Sequence, residues 1–265
     1  MRETILSCLP KDFPWRDRFL WLPSTDSTND QLRKLARQGA PEGTILLAGH
    51  QTGGHGRRGR RFHSPADVGI YMSILLRPNC APTDLMHLTC ATAVAMCDAV
   101  EKSAGFRPGI KWTNDLVFGK RKLGGILTEL GFTPGGGLGY AIIGVGINCS
   151  QQRSDFPEDI RFIAGSLSSV TGSAVDRSRV AAAMMEAFHK MSGNLLSQKE
   201  SMLAQYRADC ITLGQEISLV RGEEIRHGKA LDVDDSGALI VAFPEGTVEA
   251  VNSGEVSVRG MYGYL

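Results

Sequence analysis

The sequence predicts an α+β fold: a mixed β-sheet with helices packed on it, followed by a small barrel-like β appendage. Three observations carry that prediction. The stretch 84–103 repeats apolar residues at helical spacing, with Leu85, Leu88, Ala91, Ala95 and Val100 on one stripe. Between Ile110 and Asn148, short β-prone runs alternate with turns. From Leu213 onward, short strands are separated by Arg221-Gly222, Asp234-Asp235-Ser236-Gly237 and Pro244-Glu245-Gly246, the texture of a small all-β unit.

Taken in order, residues 1–18 read as a lead-in with Pro10 and Pro14, too short for a helix-turn-helix domain. Residues 19–22 form a first strand. The polar cluster Ser24-Thr25-Asp26-Ser27-Thr28-Asn29 precedes a helix, with capping-box spacing between Thr28 and Gln31. Leu32, Leu35 and Ala36 supply its apolar stripe, and Gly39 and Pro41 end it. Strands follow at 44–48 and 69–76, the second stopped by Pro78. After the core helix at 84–103 come strands at 110–112, 116–118, 122–130 and 140–148. Gly119-Lys120 makes a tight turn between two of them, and Pro134-Gly135-Gly136-Gly137 a looser one. Residues 176–196 and 198–208 read as two helices. The expected division is a catalytic unit at 1–211 and the β appendage at 212–265.

With 265 residues, 42% of them hydrophobic, the chain has material for one sizeable core plus that appendage. A net charge of +1 and a pI of about 7.7 give no global signal for nucleic acid or an anionic membrane. Six cysteines are scattered without a C-x-x-C pair, which fits buried free thiols in a reducing cytosol. Cys90 and Cys97 fall on one face of the core helix. The six histidines show no zinc-ligand spacing. Residues 1–20 contain no long apolar run, so neither a signal peptide nor a membrane span is expected, and the cytoplasm is the expected location.

The most informative stretch is Gly53-Gly54-His55-Gly56-Arg57-Arg58-Gly59-Arg60-Arg61, with four glycines and four arginines in nine residues. Glycine lets backbone N–H groups curl around an anion. Arginine adds a permanent charge and forked donors. The combination suits a reaction that forces two anions together, such as the attack of a carboxylate on the α-phosphorus of ATP. The same composition suits nucleic-acid phosphates or a solvated loop, although the neutral chain lacks a broad basic surface. Clustered arginines repel, so the loop is expected to order around a bound anion and exclude water from a labile acyl adenylate.

A second cluster is Lys111-Trp112-Thr113-Asn114-Asp115, followed across the tight turn by Lys122-Leu123-Gly124-Gly125. A hairpin here aims Lys111 and Lys122 at one cavity, one for a triphosphate and one for a carboxylate. Asp115 suits either Mg²⁺, bound through one carboxylate plus phosphates, or deprotonation of an incoming amine. Gly124 and Gly125 leave room for a ring or ribose against a strand. Strand-end lysines are more often merely solvated, and Trp112 reads as core. Gly144-Val145-Gly146 lacks the third glycine of a dinucleotide fingerprint and is discounted. Asn148 closes that strand as a turn residue or a nucleotide contact.

In this order the segments resemble the biotin–protein ligase family. The resemblance rests on Ser27-Thr28-Asn29, Gln51, the loop Gly54–Gly59, Lys111–Asp115, Arg121–Gly125 and Gly144–Asn148, and runs from about residue 19 to 149, more loosely to the end. It implies a class II synthetase-like catalytic domain and an SH3-like barrel. It also implies a two-step reaction: biotin and MgATP give biotinyl-5′-AMP and pyrophosphate, then a carrier-protein lysine takes the biotin and AMP leaves. By the same resemblance Ser27, Thr28, Asn29 and Gln51 hold the ureido ring, and His55, Gly56 and Arg57 close over biotin. Lys122 meets its carboxylate, and Lys111, Asn114, Gly125 and Asn148, with Arg58, Arg60 and Phe62, serve the nucleotide. Arg57, Lys122, Asp115 and Lys111 are the implied catalytic set, with Asp115 the candidate metal ligand. The implied partner is the biotin carboxyl carrier domain of acetyl-CoA carboxylase or a related carboxylase, with no DNA and no membrane. Homodimerisation is a further use that such proteins make of the exposed sheet. Two positions depart from the family pattern: His55 stands where arginine is usual, and Thr113 replaces a proline.

Two rival readings remain at this level. A lipoate or octanoate ligase shares the catalytic fold, but the intact Gly/Arg loop and β appendage favour biotin. A nucleic-acid-binding module would use Arg57, Arg58, Arg60 and Arg61, but aromatics make up only 7% of the chain.

Overall fold

The protein is described by a computed structural model covering residues 1–252 and 257–260. Helix α1 (Arg2–Cys8) leads through a short 3₁₀ turn into strand β1 (Phe19–Leu22). Helix α2 (Thr28–Arg37), strands β2 (Ile45–Ala48) and β3 (Gly69–Leu76) and the long helix α3 (Leu88–Ala104) follow. Four strands come next: β4 (Gly109–Lys111), β5 (Asp115–Phe118), β6 (Arg121–Phe132) and β7 (Leu138–Asn148). Helices α4 (Leu167–Thr171), α5 (Arg177–Asn194) and α6 (Lys199–Asp209) complete the first part.

The seven strands form one sheet in the order β1-β2-β3-β7-β6-β5-β4. It is mixed, because β1 and β2 run parallel while every other neighbouring pair is antiparallel. Its two faces are set by the period-2 alternation of strands. On β7, Ala141, Ile143, Val145 and Ile147 point into the main core with Ile70, Met72, Ile74 and Leu76 of β3. Helices α3 and α5 cover that face. On the other face Leu75 and Ile142 meet Leu32 and Ala36 of α2, as the predicted stripe requires. Beyond the end of α2 that second face holds Gly144, Gly146 and Asn148, which leaves it open.

The appendage contains β8 (Glu216–Arg221), β9 (Glu224–Val233), β10 (Leu239–Ala242), β11 (Val248–Val251) and β12 (Ser257–Gly260). They make a five-stranded antiparallel sheet in the order β11-β10-β9-β8-β12. Among the described residues this sheet is open rather than a closed barrel, because closure needs a ladder between β11 and β12 and both are edges. Residues 253–256 and 261–265 of the predicted appendage lie outside the described residues. Trp112 ties the two sheets together, its indole N–H donating to Gly237 O at 3.0 Å and its backbone N–H to Thr212 Oγ1 at 2.9 Å.

Three sequence expectations change. The lead-in is not irregular: α1 buries Ile5 and Leu6 and packs on α5. The two prolines that suggested a loop follow this helix and do not interrupt it. The cap of α2 is Ser27, not Thr28, with Ser27 Oγ accepting from Asp30 N at 3.4 Å. Gln31 instead donates to Asp26 Oδ1 at 2.8 Å, the first of several hydrogen bonds that hold the Asp26 carboxyl at about 2. The thiols also differ, since Cys8 is exposed and Cys80 half-buried while the other four are buried. Among the described residues no helix is long and apolar enough to cross a membrane.

Burial pushes the Cys90 and Cys149 thiols up to about 12, and Cys97 and Cys210 upward as well. A thiolate is the reactive form. Native protein treated with iodoacetamide at pH 8 is therefore expected to be alkylated at Cys8, slowly at Cys80, and at the other four only after unfolding. Peptide mass mapping checks this, and fast labelling of Cys90 or Cys149 would contradict the packing described.

Candidate active site

The open face of the sheet is a field of glycines. Gly146 on β7 pairs with Gly125 on β6 and with Tyr71 on β3. Gly144 pairs with Leu127 and Ser73. What a side chain would occupy there is taken by groups from elsewhere. A Cβ at Gly144 would stand 2.2 Å from Asn29 Oδ1, and one at Gly146 would stand 2.4 Å from the Phe62 ring. The missing side chains thus form the floor of a cavity of about 270 Å³.

One end of the cavity is built by the start of α2. Ser27, Thr28 and Asn29 are all buried and all line it. Gln51 joins them, its Oε1 accepting from Thr28 N at 2.8 Å and its Nε2 donating to Ser64 Oγ at 3.1 Å. Behind this layer Asn29 Nδ2 donates to Glu129 Oε2 at 2.7 Å, and Arg33 Nη2 reaches Glu129 Oε1 at 2.6 Å. Arg33 also pairs with Asp30. Burial works against the Arg33 charge, but Glu129 and Asp30 outweigh it and hold the guanidinium above its usual range.

The Gly/Arg loop forms the lid. It closes on itself, with His55 bridging Arg61, Gly56 N–H donating to Arg60 O at 2.6 Å, and Phe62 N–H to Gly54 O at 2.9 Å. A short 3₁₀ turn, Arg57–Gly59, sits at its tip, where the sequence suggested no regular element. Arg58 there adopts φ 59°, the left-handed region, and donates to Val220 O of β8 at 3.4 Å. Arg57 turns inward and donates to Asn114 Oδ1 at 3.0 Å. Its burial pulls the guanidinium below the usual arginine range, against the attraction of Asp115. His55, in the position of the usual arginine, lies 2.9 Å through Nε2 from Asp30 Oδ2. Burial raises the Asp30 carboxyl, but His55 and Arg33 together bring it below its ordinary range.

The far end is the β4–β5–β6 hairpin. Lys111 is 8% exposed at the end of β4 and lines the cavity. Lys122 lines it from β6, with Nζ 2.5 Å from Asp115 Oδ1. Asn114 is held by Ile126, donating to its carbonyl at 3.0 Å and accepting from its N–H at 2.9 Å. The Trp112–Thr113 peptide is cis, and Tyr206 Oη donates to Thr113 O at 3.1 Å from behind. Six cationic side chains, Arg57, Arg58, Arg60, Arg61, Lys111 and Lys122, line the cavity together with Asp115, the one carboxylate among the described lining residues. Among the described residues no group of three His, Cys, Asp or Glu side chains forms a metal cage. A single carboxylate among these cations, ion-paired with Lys122, has the oxygen chemistry that magnesium accompanying a triphosphate takes.

Of the residues singled out from the sequence for ligand contact, all line this cavity except Gly124, which pairs with Ile147 and so faces the core, leaving Gly125 alone of that pair on the floor. A wall was missed. Lys122 N–H donates to Ile163 O at 2.7 Å, Gly165 N–H to Lys122 O at 2.9 Å, and Asn148 Nδ2 to Gly165 O at 2.9 Å. These bonds draw Phe156, Ile160, Ile163 and Ala164 over the floor. The only sequence signal for them is the presence of apolar residues in an irregular segment. Gly144 and Gly146 were missed as floor, although alternate glycines inside a strand are a sign of close approach.

The comparisons with known proteins agree with this geometry. A profile described as "Biotin/lipoate A/B protein ligase family" matches residues 21–148, and one described as "Biotin protein ligase C terminal domain" matches residues 212–259. A curated relative, "Bifunctional ligase/repressor BirA" of Bacillus spizizenii, is 34% identical over 233 residues, 88% of this chain and 71% of the relative. The chain belongs to the biotin protein ligase family. Another biotin ligase relative, "Biotin--[acetyl-CoA-carboxylase] ligase" of Mycobacterium tuberculosis, is 32% identical and covers 88% of this chain and 85% of its own. Among solved biotin protein ligases, the Aquifex aeolicus enzyme in complex with biotin and ATP superposes with a TM-score of 0.77 at 29% identity. That match covers 91% of this chain and 98% of the Aquifex chain.

The floor makes a graded prediction. Gly144→Ala drives a methyl into the fixed Asn29 amide and is expected to lower stability by about 1–3 kcal/mol in urea unfolding. Gly146→Ala meets the half-buried Phe62 ring at the lid, which can swing aside, so its cost is expected to be smaller. Equal costs at the two positions would contradict the assignment of Asn29 as a rigid part of the floor.

Proposed function

We propose that the chain is an ATP-dependent biotin–protein ligase, forming biotinyl-5′-AMP and then biotinylating a lysine of a biotin carboxyl carrier domain. One observation carries this reading. A single cavity places a neutral, hydrogen-bonding end beside a cationic end in a chain of the biotin protein ligase family. A small ring with ureido N–H and C=O groups suits the first end, and a triphosphate the second.

The roles follow the chemistry of each end. Ser27, Thr28, Asn29 and Gln51 hold the ring. His55, Gly56, Arg57 and Lys122 face the carboxylate. Arg58, Arg60, Phe62, Lys111, Asn114, Gly125 and Asn148 serve the nucleotide, with Phe62 against the base. In the first step a carboxylate oxygen attacks the α-phosphorus, the C–O–P anhydride forms and pyrophosphate leaves. Both partners are anions, so Arg57, Lys111 and Lys122 lower the barrier by neutralising charge in a site where burial strengthens them. In the second step the carrier amine attacks the acyl carbon, a C–N bond forms and AMP leaves with the bonding electrons. Asp115 is placed to hold magnesium beside the phosphates, or to take the amine proton.

The catalytic unit spans residues 1–211 and the β appendage 212–265 in this reading. Six free thiols, four of them buried, support a reducing, cytoplasmic setting. The exposed sheet is available to the carrier domain or to a second copy.

Purified protein given MgATP and either biotin, lipoate or octanoate is expected to yield an acyl adenylate with biotin only, read by mass spectrometry. Lys122→Ala is expected to slow its formation by about 10²–10³. An adenylate with lipoate or octanoate instead would move the protein to the sister activity. No adenylate with any acid would sink the proposal.

A further inference from the structure

The lid carries one side chain whose charge is not permanent. Between Gly53 and Phe62 the ionisable residues are His55, Arg57, Arg58, Arg60 and Arg61. Arginine stays charged, whereas an imidazole changes charge between about pH 5 and pH 8. His55 is also the side chain that ties the lid to the start of α2. Its Nε2 lies 2.9 Å from Asp30 Oδ2. Arg33 holds the other oxygen of that carboxylate and reaches on to Glu129 Oε1. Asp30, Arg33 and Glu129 stand outside the cavity lining, so this carboxylate serves the lid and not the ligand.

The charged groups around His55 set the direction of its effect. From α2 it faces Asp30, with Arg33 behind. From the segment before α2 comes Asp26, whose carbonyl accepts from Gly53 N–H at 2.8 Å and whose carboxyl is held at about 2. Its own loop supplies Arg61 across the bridge, and β6 supplies Glu129 through Arg33. Burial raises the Asp30 carboxyl, but His55 and Arg33 bring it below its ordinary range, so Asp30 is ionised wherever histidine titrates. His50 and His63 flank the lid, but they face Ser24 Oγ at 3.0 Å and Asp155 O at 2.9 Å. When protonated, His55 forms an ion pair with Asp30. When neutral, the ring still donates through Nε2, so the contact weakens without breaking.

We propose that the His55–Asp30 pair is a pH-sensitive tie between the lid and α2, tight while His55 is protonated and looser as the pH rises through the histidine range. A lid tied by arginine has no such dependence. For a ligand under the lid the consequence is slower release at low pH and faster release at high pH. That consequence rests on the reading of the cavity as a biotin site.

The test reads the lid first, without ligand. Gly56 N–H and Phe62 N–H are bonded within the lid, to Arg60 O and Gly54 O. Their hydrogen-exchange protection, taken relative to the intrinsic rate at each pH, reports lid opening. The His55 side chain is 53% exposed and that of Asp30 26%, so water screens the pair. Protection in the unsubstituted protein is therefore expected to fall about two- to fivefold as the pH rises across the histidine range. His55→Arg is expected to keep the high value throughout, and His55→Gln the low one. Asp30→Asn keeps the imidazole and removes its partner, so its profile is expected to be flat. A flat profile in the unsubstituted protein, or a slope that survives in His55→Gln or Asp30→Asn, would overturn the proposal. If Asp30→Asn fails to fold, the two variants of the exposed His55 decide. Radiolabelled biotin chased with unlabelled biotin is then expected to leave the unsubstituted protein faster as the pH rises, with no slope in Asp30→Asn. A slope of release that survives Asp30→Asn, beside a flat lid, would put His55 on the ligand carboxylate directly and overturn the retention role. Failure of the unsubstituted protein to bind biotin would count against the functional reading, while the exchange profiles would still decide the tie.

Discussion

The site depends on the absence of side chains from one face of two adjacent central strands. β6 and β7 must carry branched residues on the face covered by α3 and α5, because that is where the main core lies. On the other face Gly125, Gly144 and Gly146 carry nothing. A packed interior leaves few voids by accident, since core atoms lose contact energy beside an empty space. A glycine field inside a long antiparallel ladder is therefore a space reserved for atoms from elsewhere. Asn29 and Phe62 take its two ends from the chain itself. What lies between them is left for a ligand.

Charge then decides what kind of ligand. The lid and the hairpin bring six cations and one carboxylate to the cavity lining, and burial pulls the Arg57 guanidinium below its usual range. Lys111 is buried and Arg57 and Lys122 are half-buried, and cations drawn out of water in this way are costly unless anions compensate them. Two anionic reactants satisfy that demand together, and neither alone explains both ends of the cavity. The neutral end is arranged differently, with amide and hydroxyl groups lining the cavity and a charged pair, Glu129 and Arg33, set behind them. Asp30 and Glu129 connect the two regimes: one pairs with His55 of the lid and the other with Asn29 of the floor, and Arg33 bridges both.

Much of this was legible in the sequence because its signals are local. Helix α2 announced itself by the stripe of Leu32, Leu35 and Ala36, and the hairpin by Gly119 between two β-prone runs. The site residues were legible for a chemical reason, since clustered arginine and glycine have few structural uses. What stayed hidden depends on long-range pairing. Whether Gly144 and Gly146 face a core or a cavity is fixed by the register with β3 and β6, which no single strand displays. The wall at 156–164 is held by backbone bonds to Lys122, which leave no pattern in residue type. Helix α1 escaped because only Ile5 and Leu6 of its seven residues are buried, too few for a helical period to emerge. The hydrogen bonds that join Asn29 to Ser73 and to Glu129 span 44 and 100 positions and appear only in the folded chain.

The measurement that bears most directly on this account is a crystal structure of the protein with biotin and a non-hydrolysable ATP analogue. The account predicts the biotin ring beside Thr28 and Gln51, against the glycine floor. It places the carboxylate at Lys122 and Arg57, with a carboxylate oxygen about 3–3.5 Å from the α-phosphorus. A biotin ring bound away from the α2 end, or a carboxylate turned from the triphosphate, would contradict it.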